Sequence, residues 1–100
     1  LSIQYFNQVI KIKPYLAERF IYVYPNPISD AINVDINYVG IITSITLINT
    51  NGTKRIIDRD RHCNGYTSFS IPVNYIEPGI YFIEFNFVDI DPEILKIIKK

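Results

Sequence analysis

From Ala31 to Asn37, apolar residues at Ile32, Val34 and Ile36 alternate with polar ones at Asn33, Asp35 and Asn37. A period of two sends alternate side chains to opposite faces of an extended chain, so the segment predicts a strand with one wet face. Shorter alternations predict further strands: Ile45 and Leu47 about Thr46, Ile56 beside Lys54, Arg55 and Asp58, and Phe69 and Ile71 with Ser68 and Ser70. Ile80 to Phe87 is apolar on both sides, with Tyr81, Ile83, Phe85 and Phe87 on one face and Ile80 and Phe82 opening the other. That pattern predicts a central strand.

Turn signals divide these runs. Asn51-Gly52 and Asn64-Gly65 are dipeptides that tolerate positive φ in a tight turn, so two hairpins are expected. Pro25 and Pro27 flank Asn26 after the apolar run Phe20 to Tyr24, and without ladder N–H groups they force the chain out of the sheet. Pro78-Gly79 predicts a bend just ahead of the longest apolar run. Strands recurring about every 8–12 residues with turns between them describe an all-β fold, an Ig-like antiparallel β-sandwich of about seven strands.

The two ends read differently. Residues 1–19 hold the alternation Ile10-Lys11-Ile12-Lys13 ending at Pro14, which fits an extra edge strand or a linker following an upstream domain. Leu1 opens the chain and methionine is absent, so the chain is expected to be a piece of a longer polypeptide, with any signal peptide lying upstream. At the other end, Asp91-Pro92-Glu93 fits a helix start by capping logic. The β-branched isoleucines at 90, 94, 97 and 98 and the preceding β context favour a strand, which is the reading taken.

Composition narrows the function. One hundred residues suit one domain, and 48% hydrophobic with 20% charged residues excludes a disordered chain. No uncharged apolar run reaches the ~18 residues of a membrane-spanning helix. Ten basic and ten acidic residues cancel, leaving no field to gather nucleic acid. A single cysteine, Cys63, excludes an internal disulfide.

Candidate chemistry is sparse. His62 and Cys63 are adjacent, but neighbours on a strand face opposite ways, and no orienting group or oxyanion hole accompanies them. A solvated approach to the Asn64-Gly65 turn explains them better. Asp58, Asp60, Asp89 and Asp91 form two pairs of the kind calcium prefers, yet Arg59 and Arg61 interleave the first pair and no EF-hand glycine or glutamate follows, so surface charge is the simpler reading. Asn51-Gly52-Thr53 matches a glycosylation acceptor, and a hairpin turn already accounts for it. Lys54, Arg55, Arg59 and Arg61 are offset by Asp58 and Asp60, without the aromatic stripe a base-stacking platform needs. No cofactor, metal or catalytic residue is expected.

The chain closes on Lys96-Ile97-Ile98-Lys99-Lys100, and lysines on an edge strand commonly block unwanted strand pairing. Three features occur together with this ending. Ile21 to Pro27 resembles an opening "iyPNP" motif followed by the strand at Ile32-Asn33-Val34; Leu47 to Lys54, with Gly52 and Lys54, is similar to an "l.d..Gk" hairpin; Ile76 to Tyr81 looks like "L..GiY". Lys96 to Lys99 completes the set as "KiiK". In this order, over residues 20–100, they resemble the type A C-terminal sorting domain of the type IX (Por) secretion system of Bacteroidota.

The resemblance implies an Ig-like, non-enzymatic domain at the end of a cargo protein. The outer-membrane export machinery recognises such domains, and a sortase-like protease removes them as cargo is released or attached at the cell surface after passing the periplasm. Pro25, Asn26 and Pro27 then form the turn by which the chain enters the domain. Gly52 serves the hairpin, Gly79 and Tyr81 set a bend and bury a ring, and Lys96 and Lys99 form the terminal recognition segment. Val88 to Pro92 departs from the family by lacking a turn glycine. The rival reading is an Ig-like or fibronectin-like accessory module, a spacer or ligand-binding domain of a secreted protein.

Overall fold

The computed structural model describes residues 20–100, so the expectation for residues 1–19 lies outside the described residues. The described chain is all-β, with strands β1 (Phe20–Tyr24), β2 (Ala31–Asn49), β3 (Lys54–Pro72), β4 (Gly79–Phe87) and β5 (Glu93–Lys99). The five strands pair antiparallel; β1, β2, β4 and β5 follow one another across the sheet, β3 pairs along β2, and an isolated parallel bridge joins Ile28 to Lys99. In place of the expected seven-strand sandwich, the described residues form five strands in one hydrogen-bonded sheet.

Two strands of 19 residues each stand where four short ones were expected. The two alternations in β2 belong to one strand whose phase changes. Against β4 the register shifts between Ile42 and Ser44, making Thr43 an extra residue, and the buried positions pass from Ile36, Tyr38 and Ile42 to Ile45 and Leu47. An inserted residue of this kind bends and twists a strand without ending it. A second shift sets Ile45 opposite Asp58 and Thr46 opposite Ile56, leaving Ile57 as the extra residue of β3.

Asn64-Gly65 makes no turn, which corrects the second hairpin and the placement of His62 and Cys63 beside it. Asn64 pairs with Val39 and Gly65 with Tyr38 inside the ladder, where Gly65 takes φ +98°. The Asn51-Gly52 hairpin is present but longer than two residues: Asn49 N–H donates to Thr53 O at 3.0 Å and encloses Thr50, Asn51 and Gly52. Gly52 takes φ +85°, as a three-residue loop with a left-handed third position requires. Pro25 ends β1 and Gly79 opens β4, both as expected, and residues 93–99 form a strand.

The curl of the sheet makes one core from its parts. Ile32, Val34 and Ile36 from the first half of β2 join Ile45 and Leu47 from the second, Ile83 and Phe85 of β4 and Ile97 of β5 in a single buried cluster. Each such side chain taken fully from water contributes on the order of 1.5–3 kcal/mol. Ile28, between β1 and β2, closes the curl: its N–H donates to Ile98 O at 2.7 Å and its carbonyl accepts from Lys100 N–H at 2.8 Å.

At the bend, Tyr38 folds its ring over Gly40 on the same face of β2. A Cβ built on Gly40 would lie 2.6 Å from Tyr38 Cζ, so only glycine leaves room. The ring meets Phe87 edge-on with centroids 4.8 Å apart, and its hydroxyl donates to Asp89 Oδ1 at 2.6 Å. This anchors the glycine-free connection between β4 and β5.

Candidate functional site: the clasped terminal strand

Among the described residues β5 is the last strand of the path, and no described strand runs along its outer edge. The turn after β1 covers part of that edge. Asn26 Oδ1 accepts the backbone N–H of Ile98 at 3.0 Å, and the two bonds of Ile28 hold Ile98 O and Lys100 N–H. Pro25 and Pro27, both preceded by cis peptide bonds, flank Asn26 and are exposed. The opening motif and the closing motif of the chain thus form one structure, although 72 residues separate Asn26 from Ile98.

Backbone groups alternate in direction along a strand. Because the N–H and carbonyl of Ile98 both face the clasp, those of Ile94 and Lys96 face the same open edge, while the odd-numbered residues face β4. No described backbone group bonds to Ile94 or Lys96 on that side. Among the described residues β5 is therefore closed at its end and open before it.

The sequence-derived residues fall around this strand. Lys96 is exposed on the outer face opposite Phe82, whereas Lys99 is half-buried on the core side opposite Gly79, its ammonium donating to Lys100 O at 3.0 Å. The two lysines, three residues apart, do not share a face. Gly79 takes φ +149° with nothing near its absent side chain. Tyr81 pairs with Ile97 and packs against the core half-buried, while its hydroxyl donates to Glu77 O at 2.7 Å. Gly52 lies in the hairpin that follows Asn49, and because Asn49 pairs with Tyr81 that hairpin adjoins the Gly79–Tyr81 end of β4. Sequence reasoning missed Ile28 and Ile98 as clasp residues; the available signal was an amide side chain fixed between two prolines.

The outer face of β4 and β5 is apolar apart from Glu84 and Lys96. Ile80 pairs with Ile98, Phe82 with Lys96 and Glu84 with Ile94, and Ile80, Phe82, Ile94 and Ile98 are all exposed. Such a patch on a small domain marks a place where another surface can bind.

The remaining candidates are accounted for structurally. Cys63 is buried and His62 exposed on opposite faces of β3, and burial raises the Cys63 thiol above its ordinary range. Asp58 pairs with Arg61 at 2.8 Å, and Arg61 stacks over the Phe69 ring at 4.2 Å. Arg55 lies 5.2 Å from the Tyr75 ring centroid. Among the described residues no group of three or more His, Cys, Asp or Glu is placed to hold a metal ion.

No curated protein and no solved structure matches the chain. The family model of the secretion system C-terminal sorting domain matches residues 22–100, from within β1 through the whole clasp. A strand sealed by the chain's own opening motif, with an open stretch and an apolar face beside it, is what that match spans: the chain belongs to the C-terminal sorting domain family of the type IX secretion system.

Proposed function

We propose that residues 20–100 form a non-catalytic address that carries an upstream cargo across the outer membrane to the surface or medium, and that the open stretch of β5 is what the export machinery reads. The supporting observation is the clasp: Asn26 and Ile28 fix Ile98 and Lys100, which presents Ile94 and Lys96 as a rigid edge. A strand of the machinery added there gains main-chain hydrogen bonds, and the alternate side chains of β5 supply selectivity. A sortase-like protease then cuts ahead of the domain, within or near residues 1–19.

The test is export of a periplasm-targeted fluorescent reporter fused to residues 1–100, in a Bacteroidota strain with and without functional type IX machinery. A variant ending at Leu95 runs beside it. The full fusion is expected outside the cell only when the machinery works, with the truncation held in the periplasm. A folded full fusion that stays periplasmic in both strains overturns the proposal and leaves an accessory module.

A further inference from the structure

The part of the sheet formed by β1, the first half of β2 and the second half of β3 carries a surface of different chemistry. The first half of β2 lies between β1 and the second half of β3, and the register sets Tyr24 beside Asn33 beside Ser70, and Asp35 beside Ser68. All of these side chains point away from the core, on the face opposite Ile32, Val34 and Ile36. Tyr24 is 44% exposed and Tyr66, one register step beyond Ser68, is 66% exposed. Phenol rings therefore flank a strip of hydroxyl, amide and carboxylate groups.

The strip is already held in place. Tyr24 Oη donates to Asp35 Oδ1 at 3.1 Å and Ser68 Oγ donates to the same oxygen at 2.8 Å. Ser70 Oγ donates to Asn33 Oδ1 at 2.8 Å. These bonds engage Asp35 Oδ1 and Asn33 Oδ1, so the second carboxylate oxygen of Asp35 and the Asn33 amide nitrogen remain as an acceptor and a donor on half-exposed side chains. We infer that this face binds a neutral glycan, a ligand class that the sorting role does not require. A pyranose offers an apolar C–H face to a flat aromatic ring and hydroxyls that both donate and accept, which matches rings beside a mixed donor and acceptor strip. Two strand spacings, about 9–10 Å, separate side chains of β1 from those of β3, the span of a short oligosaccharide. Asp35 is the single charge among these positions and no lysine or arginine accompanies it, so anionic polymers are disfavoured.

Native affinity electrophoresis of the 100-residue chain tests this, in gels containing dextran, mannan or xyloglucan, with polygalacturonate as the anionic comparison. At least one neutral polysaccharide is expected to retard the chain. Tyr66→Ala should weaken that retardation by about tenfold or more, whereas Tyr75→Ala, at an exposed ring elsewhere, should leave it intact. Melting curves confirm that each variant is folded, and Ser70→Ala provides a second, milder probe of the strip. No retardation in any neutral gel, equal retardation of Tyr66→Ala, or retardation by polygalacturonate alone overturns the assignment.

Discussion

The side-chain carbonyl of Asn26 accepts the backbone N–H of Ile98 at 3.0 Å, joining the exit from the first strand to the last strand of the domain. In Asn26→Ala that edge amide loses its protein partner. The cost should be about 0.5–1.5 kcal/mol, the net worth of one hydrogen bond. Hydrogen exchange at Ile98 should accelerate, and Asn26→Asp, which keeps an acceptor oxygen, should restore most of the protection. Unchanged exchange at Ile98 in the alanine variant would mean that the clasp holds through Ile28 alone.

Recognition of the strand edge and recognition of the lysine side chain predict different export phenotypes. Lys96→Pro removes an N–H that faces the open edge and no bond to β4, a position where a strand tolerates proline. Lys96→Gln removes the charge and keeps the N–H. The proline variant should stay in the periplasm with a nearly unchanged melting temperature, and the glutamine variant should be exported. The reverse pattern would assign recognition to the ammonium group.

Gly40 accommodates the Tyr38 ring and takes φ +150°, so Gly40→Ala meets both a collision and an unfavourable backbone. Overpacking and strain of this kind together should cost on the order of 2–4 kcal/mol. Denaturant unfolding of Gly40→Ala, and of the same change combined with Tyr38→Ala, separates the two. The double variant should show a smaller penalty for the Gly40 change than the single one.

Tyr81 is half-buried with a bonded hydroxyl, which divides its contribution. Tyr81→Phe should lose about 0.5–1 kcal/mol. Tyr81→Ala should lose about 2 kcal/mol, below the 3–5 kcal/mol of a fully enclosed aromatic. Equal losses from chemical denaturation would show that the ring adds nothing to the core.

Burial raises the Cys63 thiol above its ordinary value. The unfolded thiol then ionises first as pH rises, so the folded chain holds the extra proton and stability falls once pH passes that value. Below it the contribution is fully present. Tyr24, raised chiefly by its bond to Asp35, acts in the same direction at higher pH. Unfolding curves between neutral and alkaline pH should therefore fall less steeply for Cys63→Ala than for the parent chain.

The sequence showed strand type and local turn chemistry well where a single phase of alternation persisted. Ala31 to Asn37, Ile80 to Phe87 and the exit at Pro25 all read correctly. It failed where an inserted residue changed the phase, because Thr43 makes one bent strand look like two and Asn64-Gly65 carries the chemistry of a turn while lying within a ladder. The terminal strand was legible from its isoleucines. Its clasp was not, since the pattern around Asn26 describes only a local turn and contains nothing about a partner 72 residues away.

The long β2–β3 hairpin is joined by neighbours in sequence, but the clasp must wait for Ile98 and Lys100. During translation Asn26 and Ile28 leave the ribosome well before Ile98 and Lys100 exist, and a chain halted early presents the first half of the lock with nothing to close it. The closed clasp therefore exists only in a chain that holds the whole span from Asn26 to Lys100 in folded form, and products shortened within that span lack it.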